Sequence, residues 1–216
     1  MCWNKEISLN TFVFSSFVLL LVIYNNTYTQ YKIEELDNLW AYLFFMSFIL
    51  MQLIEYFIWK NINDPLYNKI FTSLVICLLF LQPIASIMLV TNNIIRSYML
   101  SLYLIFSIPF GIYIYNYRFI KLHTNSSMSG LGHLQWNILD KSIWSTLIKI
   151  LWFIFFLSPL FYQGYTYGFL FGVLTLLFAI YNYSKDKSVE SMWCWVVNSI
   201  MIFYAGYLLL YLPFLK

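Results

Sequence analysis

LWAYLFFMSFILMQLIEYFIW, residues 39–59, carries a single ionisable acid, Glu55, in an otherwise apolar and aromatic run. A helix that crosses a bilayer takes about 20 mostly apolar residues, and this run has that length. It lacks the strict apolar–polar alternation of a barrel strand. The run therefore reads as a transmembrane helix, which satisfies its own backbone amides in lipid.

Working outward, six more stretches have the same character. The expected spans are 8–24, 39–59, 70–90, 97–117, 143–162, 167–183 and 191–214, with polar segments between them. The expected fold is all-α: one polytopic transmembrane domain over 1–216, a bundle of seven transmembrane helices. Composition agrees. Of 216 residues, 62% are hydrophobic and 10% charged, whereas a soluble domain is about one-quarter charged. A soluble globule and a disordered chain are both excluded. Net charge is +3, with no basic run, so nucleic acid is not an expected partner; the lipid bilayer is. Cys2, Cys77 and Cys194 are odd in number and widely spaced, which implies no disulfide framework.

Lys and Arg set a direction. Lys5, Lys60, Lys69, Arg118, Lys121, Lys141, Lys185 and Lys187 fall on one side, and Lys32, Arg96 and Lys216 on the other. The positive-inside rule puts the N-terminus in the cytosol and the C-terminus on the opposite side. The first span lacks a small-residue cleavage site after its apolar run, so it is expected to stay as a membrane helix rather than leave as a signal peptide. The longest loop, 118–142, is expected to be mobile in part. No three-plus-three repeat of the transporter kind is evident.

Polar groups inside spans are costly and mark function. Glu55 shares a helix face with Gln52, Tyr56 and Trp59, a face expected to point into the bundle as a proton site or ligand contact. Lys149, on the same side, is a candidate partner for Glu55 or a snorkelling lysine. Glu190, Cys194 and Asn198 stack at i, i+4 and i+8, flanked by Trp193 and Trp195, and suit a pocket wall or an interfacial aromatic belt. Pro83, Pro109 and Pro159 are expected to kink their helices. Gln82 is placed to satisfy a carbonyl freed at Pro83, or to contact a ligand. Gly164, Gly168 and Gly172 form a ridge that lets another helix approach. Cys2, His133, Glu190 and Cys194 all fall toward one face, and two thiols, an imidazole and a carboxylate suit zinc, though no zinc spacing is present. No other cofactor is evident.

Met1-Cys2-Trp3, Gln52 with Glu55, Leu81-Gln82-Pro83, Gly132-His133-Leu134-Gln135-Trp136 and Glu190-Ser191-Met192-Trp193-Cys194-Trp195 together resemble a seven-helix membrane family of bacteria, some eukaryotes and large DNA viruses that has no established activity. The resemblance covers nearly the whole chain. It implies that Cys2, His133, Trp136, Glu190, Trp193 and Cys194 act as one site. Other seven-helix families fit badly: no lysine lies inside span seven as retinal proteins need, Asn198-Ser199 lacks the Asn-Pro of G-protein-coupled receptors, and two histidines are too few for ceramidase-type hydrolases.

The expected function is binding or transport of a small ligand or ion through a cytosol-facing polar pocket. Its candidate residues are Glu55, Gln52, Gln82, Asn198, Trp193 and Trp136. The alternatives are a membrane-embedded hydrolase, metal-dependent or using an N-terminal cysteine, and a membrane scaffold or remodelling protein.

Overall fold

Four helices begin where an asparagine or aspartate precedes an apolar run. Asn4, Asn38, Asp64 and Asn92 each turn a side-chain oxygen onto free first-turn amides, such as Asn38 Oδ1 on the Ala41 N–H at 2.8 Å. These caps satisfy donors that the helix itself leaves open. In a computed structural model that describes residues 4–119, 125–138 and 143–215, the helices are α1 Lys5–Tyr28, α2 Leu39–Lys60, α3 Pro65–Ile87, α4 Asn93–Tyr113, α5 Ile143–Gln163 and α6 Thr166–Tyr183. They are followed by α7 Val189–Val197, α8 Ile200–Gly206 and α9 Leu212–Leu215. Wider π-turns at Ile114–Phe119 and Tyr207–Tyr211 extend α4 and join α8 to α9.

Seven helical segments are long and apolar enough to cross a membrane, the seventh being Val189–Phe214. The chain is a multi-pass membrane protein of all-α fold. Phe17, Leu20, Ile105, Leu174 and Leu209 stand on the outside of the bundle, as a lipid-facing surface requires.

Neighbouring helices follow the chain from α1 to α3. Then α5 rather than α4 packs most extensively on α3, α6 packs on α7, and α7 and α8 return to α2 and α1. α2 and α3 are the most buried spans, and α4 and α6 the least. α4 is held from outside through ring contacts such as Tyr103 with Phe155 and Phe80 with Phe110.

Between α4 and α5 the described residues form a hairpin, β1 Ser126–Met128 against β2 Leu134–Trp136, with Ser126 opposite Trp136. Asn68 on α3 closes onto Ser126 at both its N–H and its carbonyl (2.8 and 2.9 Å), and Ser191 on α7 donates to the Leu134 carbonyl. The three glycines are not one ridge. Gly164, at φ +87°, ends α5: its N–H bonds Phe161 O and the next N–H, of Tyr165, bonds Leu160 O, the paired closure of a Schellman motif. A Cβ at Gly172 would meet Leu157 at 2.8 Å, whereas one at Gly168 meets nothing within 4 Å. Close approach thus belongs to Gly172 alone.

Span seven is present over Val189–Phe214 but is not one continuous α-helix. At Asn198-Ser199 the backbone tightens. The Asn198 N–H bonds Trp195 O and the Ser199 N–H bonds Val196 O, three residues back instead of four. Such a mid-span 3₁₀ stretch is a common place for function or strain.

Candidate functional site

The tightened turn at Asn198 leaves the Cys194 carbonyl without its usual helical donor. The Asn198 side chain supplies one: Nδ2 donates to Cys194 O at 2.7 Å and also reaches Phe48 O on α2 at 3.3 Å. On α2's other flank, Gln82 Nε2 reaches Ser47 O at 3.4 Å. Gln52, one turn further along α2, donates from Nε2 to Glu55 Oε2 at 2.9 Å. Three amide side chains therefore converge on adjacent turns of α2 from α2, α3 and α7. Gln52 and Glu55 have no solvent exposure, Gln82 has 1% and Asn198 2%.

Each amide spends its N–H on an acceptor and keeps its oxygen. Gln52 Oε1, Gln82 Oε1 and Asn198 Oδ1 have no hydrogen-bond partner among the described residues. An unpaired amide oxygen inside an apolar bundle costs about 1–3 kcal/mol. Three on one short stretch, beside a carboxyl group, form an acceptor-rich site suited to a small cation or a hydrogen-bond donor. Glu55 and Glu190 both lie within electrostatic range of the Cys194 thiol, so the α7 stripe does reach the α2 acid.

Gln82 does not take the carbonyl that Pro83 leaves open. Proline at 83 removes the donor for Leu79 O, and Trp152 Nε1 on α5 takes that carbonyl at 2.7 Å. Tyr103 on α4 donates to the adjacent Phe80 O at 2.8 Å. Nor does Lys149 pair with Glu55: it forms its ion pair with Glu190. Trp152 and Tyr103 were missed from sequence because nothing local marks an indole or a phenol as the partner of a carbonyl in another helix.

The residues named through the family resemblance come together in part. Trp136, Glu190, Trp193 and Cys194 line one cavity of about 110 Å³ between α3, α4, α5 and α7. Trp136 brings an indole N–H without a partner among the described residues. Trp193 is fixed by Nε1 bonds to Gly172 O and Thr175 Oγ1, at 3.3 and 3.2 Å, so its polar edge serves packing. His133 stands apart, edge-on to Tyr183 with ring centroids 5.3 Å apart. Burial holds its imidazole below the usual range, against the pull of the nearby Asp186 carboxylate. For Asp186, burial works upward but is outweighed by hydrogen bonds from Ser129, Ser188 and the Leu131 N–H and by the His133 charge, leaving it low. Cys2 lies outside the described residues. Among the described residues no three His, Cys, Asp or Glu side chains form a metal-binding group.

A second, larger cavity of about 560 Å³ opens at the end of the bundle away from the hairpin and descends to Phe48 and Val197, next to Asn198. Between the two cavities stands a ring cluster. Phe156 stacks on Trp152 and on Phe44 at 5.0 and 5.2 Å, and Trp193 sits edge-on to Phe153 and Phe156.

No protein-family model, curated protein or solved structure matches the chain. The functional reading rests on the geometry alone.

Proposed function

We propose that this protein binds a small ligand or ion at the amide oxygens around Gln52 and Glu55 and moves it across the membrane. The observation that carries the reading is the convergence of three buried, unpaired amide oxygens on the turns of α2 next to a fully buried carboxyl. A buried acid in a membrane bundle is a natural proton site, so Glu55 is the titratable group that would couple transport to protons. Cavities on either side of one aromatic layer favour a path over a plain scaffold. The same proposal sets the hairpin face, nearest Glu55, in the cytosol and the C-terminus opposite, on the strength of the Lys and Arg distribution. Membership of the seven-helix family that begins Met-Cys-Trp belongs to the same proposal. The shared cavity of Trp136, Glu190, Trp193 and Cys194 supports it.

The hydrolase reading, with zinc or an N-terminal cysteine, draws less from the geometry, because His133 faces Tyr183 and Asp186 rather than Cys194. The test is flux. Purified protein in liposomes loaded with a pH dye is given an inward gradient of protons, then of Na⁺ or K⁺. Flux above that of empty liposomes, lost in Glu55→Gln and weakened in Gln52→Ala, is expected. Equal flux in wild type and Glu55→Gln would sink the proposal.

A further inference from the structure

The cavity away from the hairpin has a chemistry of its own. Its volume, about 560 Å³, falls within the ~300–1,000 Å³ of small-molecule sites. Its walls are carbon: Phe44, Phe45 and Phe48 from α2, Leu157 and Leu160 from α5, Phe203 from α8. Its rim is acidic. Glu34 and Glu35 border it from the short 3₁₀ turn Glu34–Leu36. The cation on that rim, Lys32, sits 3.9 Å from Asp37, so the two cancel, and no ion pair holds Glu34 or Glu35 among the described residues.

Tyrosines also line it: the Tyr165 hydroxyl accepts from Asn38 Nδ2 at 3.3 Å, whereas Tyr204 is the more deeply set. Tyr204 is 9% exposed, lines the cavity, and packs edge-on to Phe45 at 5.5 Å. Its hydroxyl has no hydrogen-bond partner among the described residues, and Glu35 borders the same cavity. Gly168 borders the same space, and a Cβ there meets nothing within 4 Å.

We propose that this cavity is a binding site for an organic cation with an apolar body, the positive centre held by Glu35 and the Tyr204 hydroxyl and the hydrocarbon by the aromatic walls. Aromatic faces attract cations through their quadrupole, and carboxylates exclude anions from the rim. A neutral apolar molecule would leave Glu35 and Tyr204 unused. Gln52 and Glu55 do not line this cavity, and binding here does not require that the protein transports anything.

Binding of tetraphenylphosphonium to the full-length chain in maltoside micelles tests it, by equilibrium dialysis. Saturable binding is expected, at least about fivefold tighter than that of neutral triphenylphosphine oxide. Glu35→Gln should lower the affinity by a similar factor, and Gly168→Leu, which fills the space, should remove saturable binding. Tyr204→Phe, which keeps the ring, should weaken binding without affecting the fold. Equal affinity for the neutral analogue would overturn the proposal, as would wild-type affinity in both Glu35→Gln and Gly168→Leu. Loss of binding in Glu55→Gln with wild-type binding in Glu35→Gln would move the cation to the polar layer and overturn it too. Displacement by added phosphatidylcholine would assign the cavity to a lipid headgroup instead of a free cation.

Discussion

Pro83 in α3 and the tightened turn at Asn198 in span seven each leave a helix carbonyl without its usual donor, and the two are closed in different ways. At Pro83 the orphaned Leu79 carbonyl and its neighbour Phe80 O are met from outside, by Trp152 on α5 and Tyr103 on α4. The indole carries no acceptor atom to aim into the bundle, and the Pro83 site ends as a joint between three helices. At Asn198 the repair comes from the same span. The amide closes Cys194 O with its N–H and leaves Oδ1 without a partner among the described residues. A break closed by an indole is finished chemistry, whereas a break closed by an amide keeps an acceptor in reserve. In lipid, where water is not at hand to take it up, that reserve points to a ligand.

This contrast makes predictions that separate stability from function. The largest effect is expected at Trp152. Trp152→Phe strands Leu79 O in an apolar setting and should cost about 2–3 kcal/mol, read as a lower thermal unfolding midpoint in detergent. In a Pro83→Ala background the helix regains its own donor, so the same substitution should cost clearly less; a purely additive pair would break the assignment. Flux per folded molecule should survive Trp152→Phe.

Asn198→Ala should cost less, about 1–2 kcal/mol, yet reduce flux per folded molecule severely. Retained flux there would erase the difference between the two breaks. Tyr103→Phe keeps the ring contact with Phe155 and loses one hydrogen bond, so about 0.6 kcal/mol is expected, with flux unchanged.

The smallest effect is at the hairpin. Burial lowers the His133 pKa below the unfolded value of 6.5. A group depressed in this way contributes stability above the unfolded value and loses it as pH falls through the folded one. Asp186, also depressed from 3.8, loses its contribution at still lower pH. Hydrogen exchange at residues 126–136 should therefore quicken as pH drops below about 6.5, after correction for the intrinsic rate. His133→Gln should flatten the upper part of that response. A hairpin whose protection is indifferent to pH from 7 to 5 would show that His133 carries no such linkage.

Some of this was legible residue by residue. Glu55 and Gln52 on one face of α2 are buried together as their i, i+3 spacing implies. The caps at Asn38 and Asp64 sit where an apolar run begins. Asn198 was a candidate from its place in the Glu190–Cys194 stripe. Its reason for mattering, the tightened backbone, was not legible, because no proline or glycine marks it. Of the two roles open to Gln82 from sequence, the carbonyl freed at Pro83 goes to Trp152 instead, and the amide reaches Ser47 O on another helix. Lys149 had two acids in reach, and only packing selects Glu190.

The seven spans follow from the sequence alone, because apolar length is a property of neighbours along the chain. The tertiary structure decided which indole takes the carbonyl left open at Pro83, which amide oxygens of the α2 layer are left unpaired, and where the two cavities lie. Those outcomes depend on which helix faces meet. In a bundle whose helices are apolar on nearly every side, hydrophobic pattern does not distinguish one facing partner from another; shape and hydrogen-bond demand do.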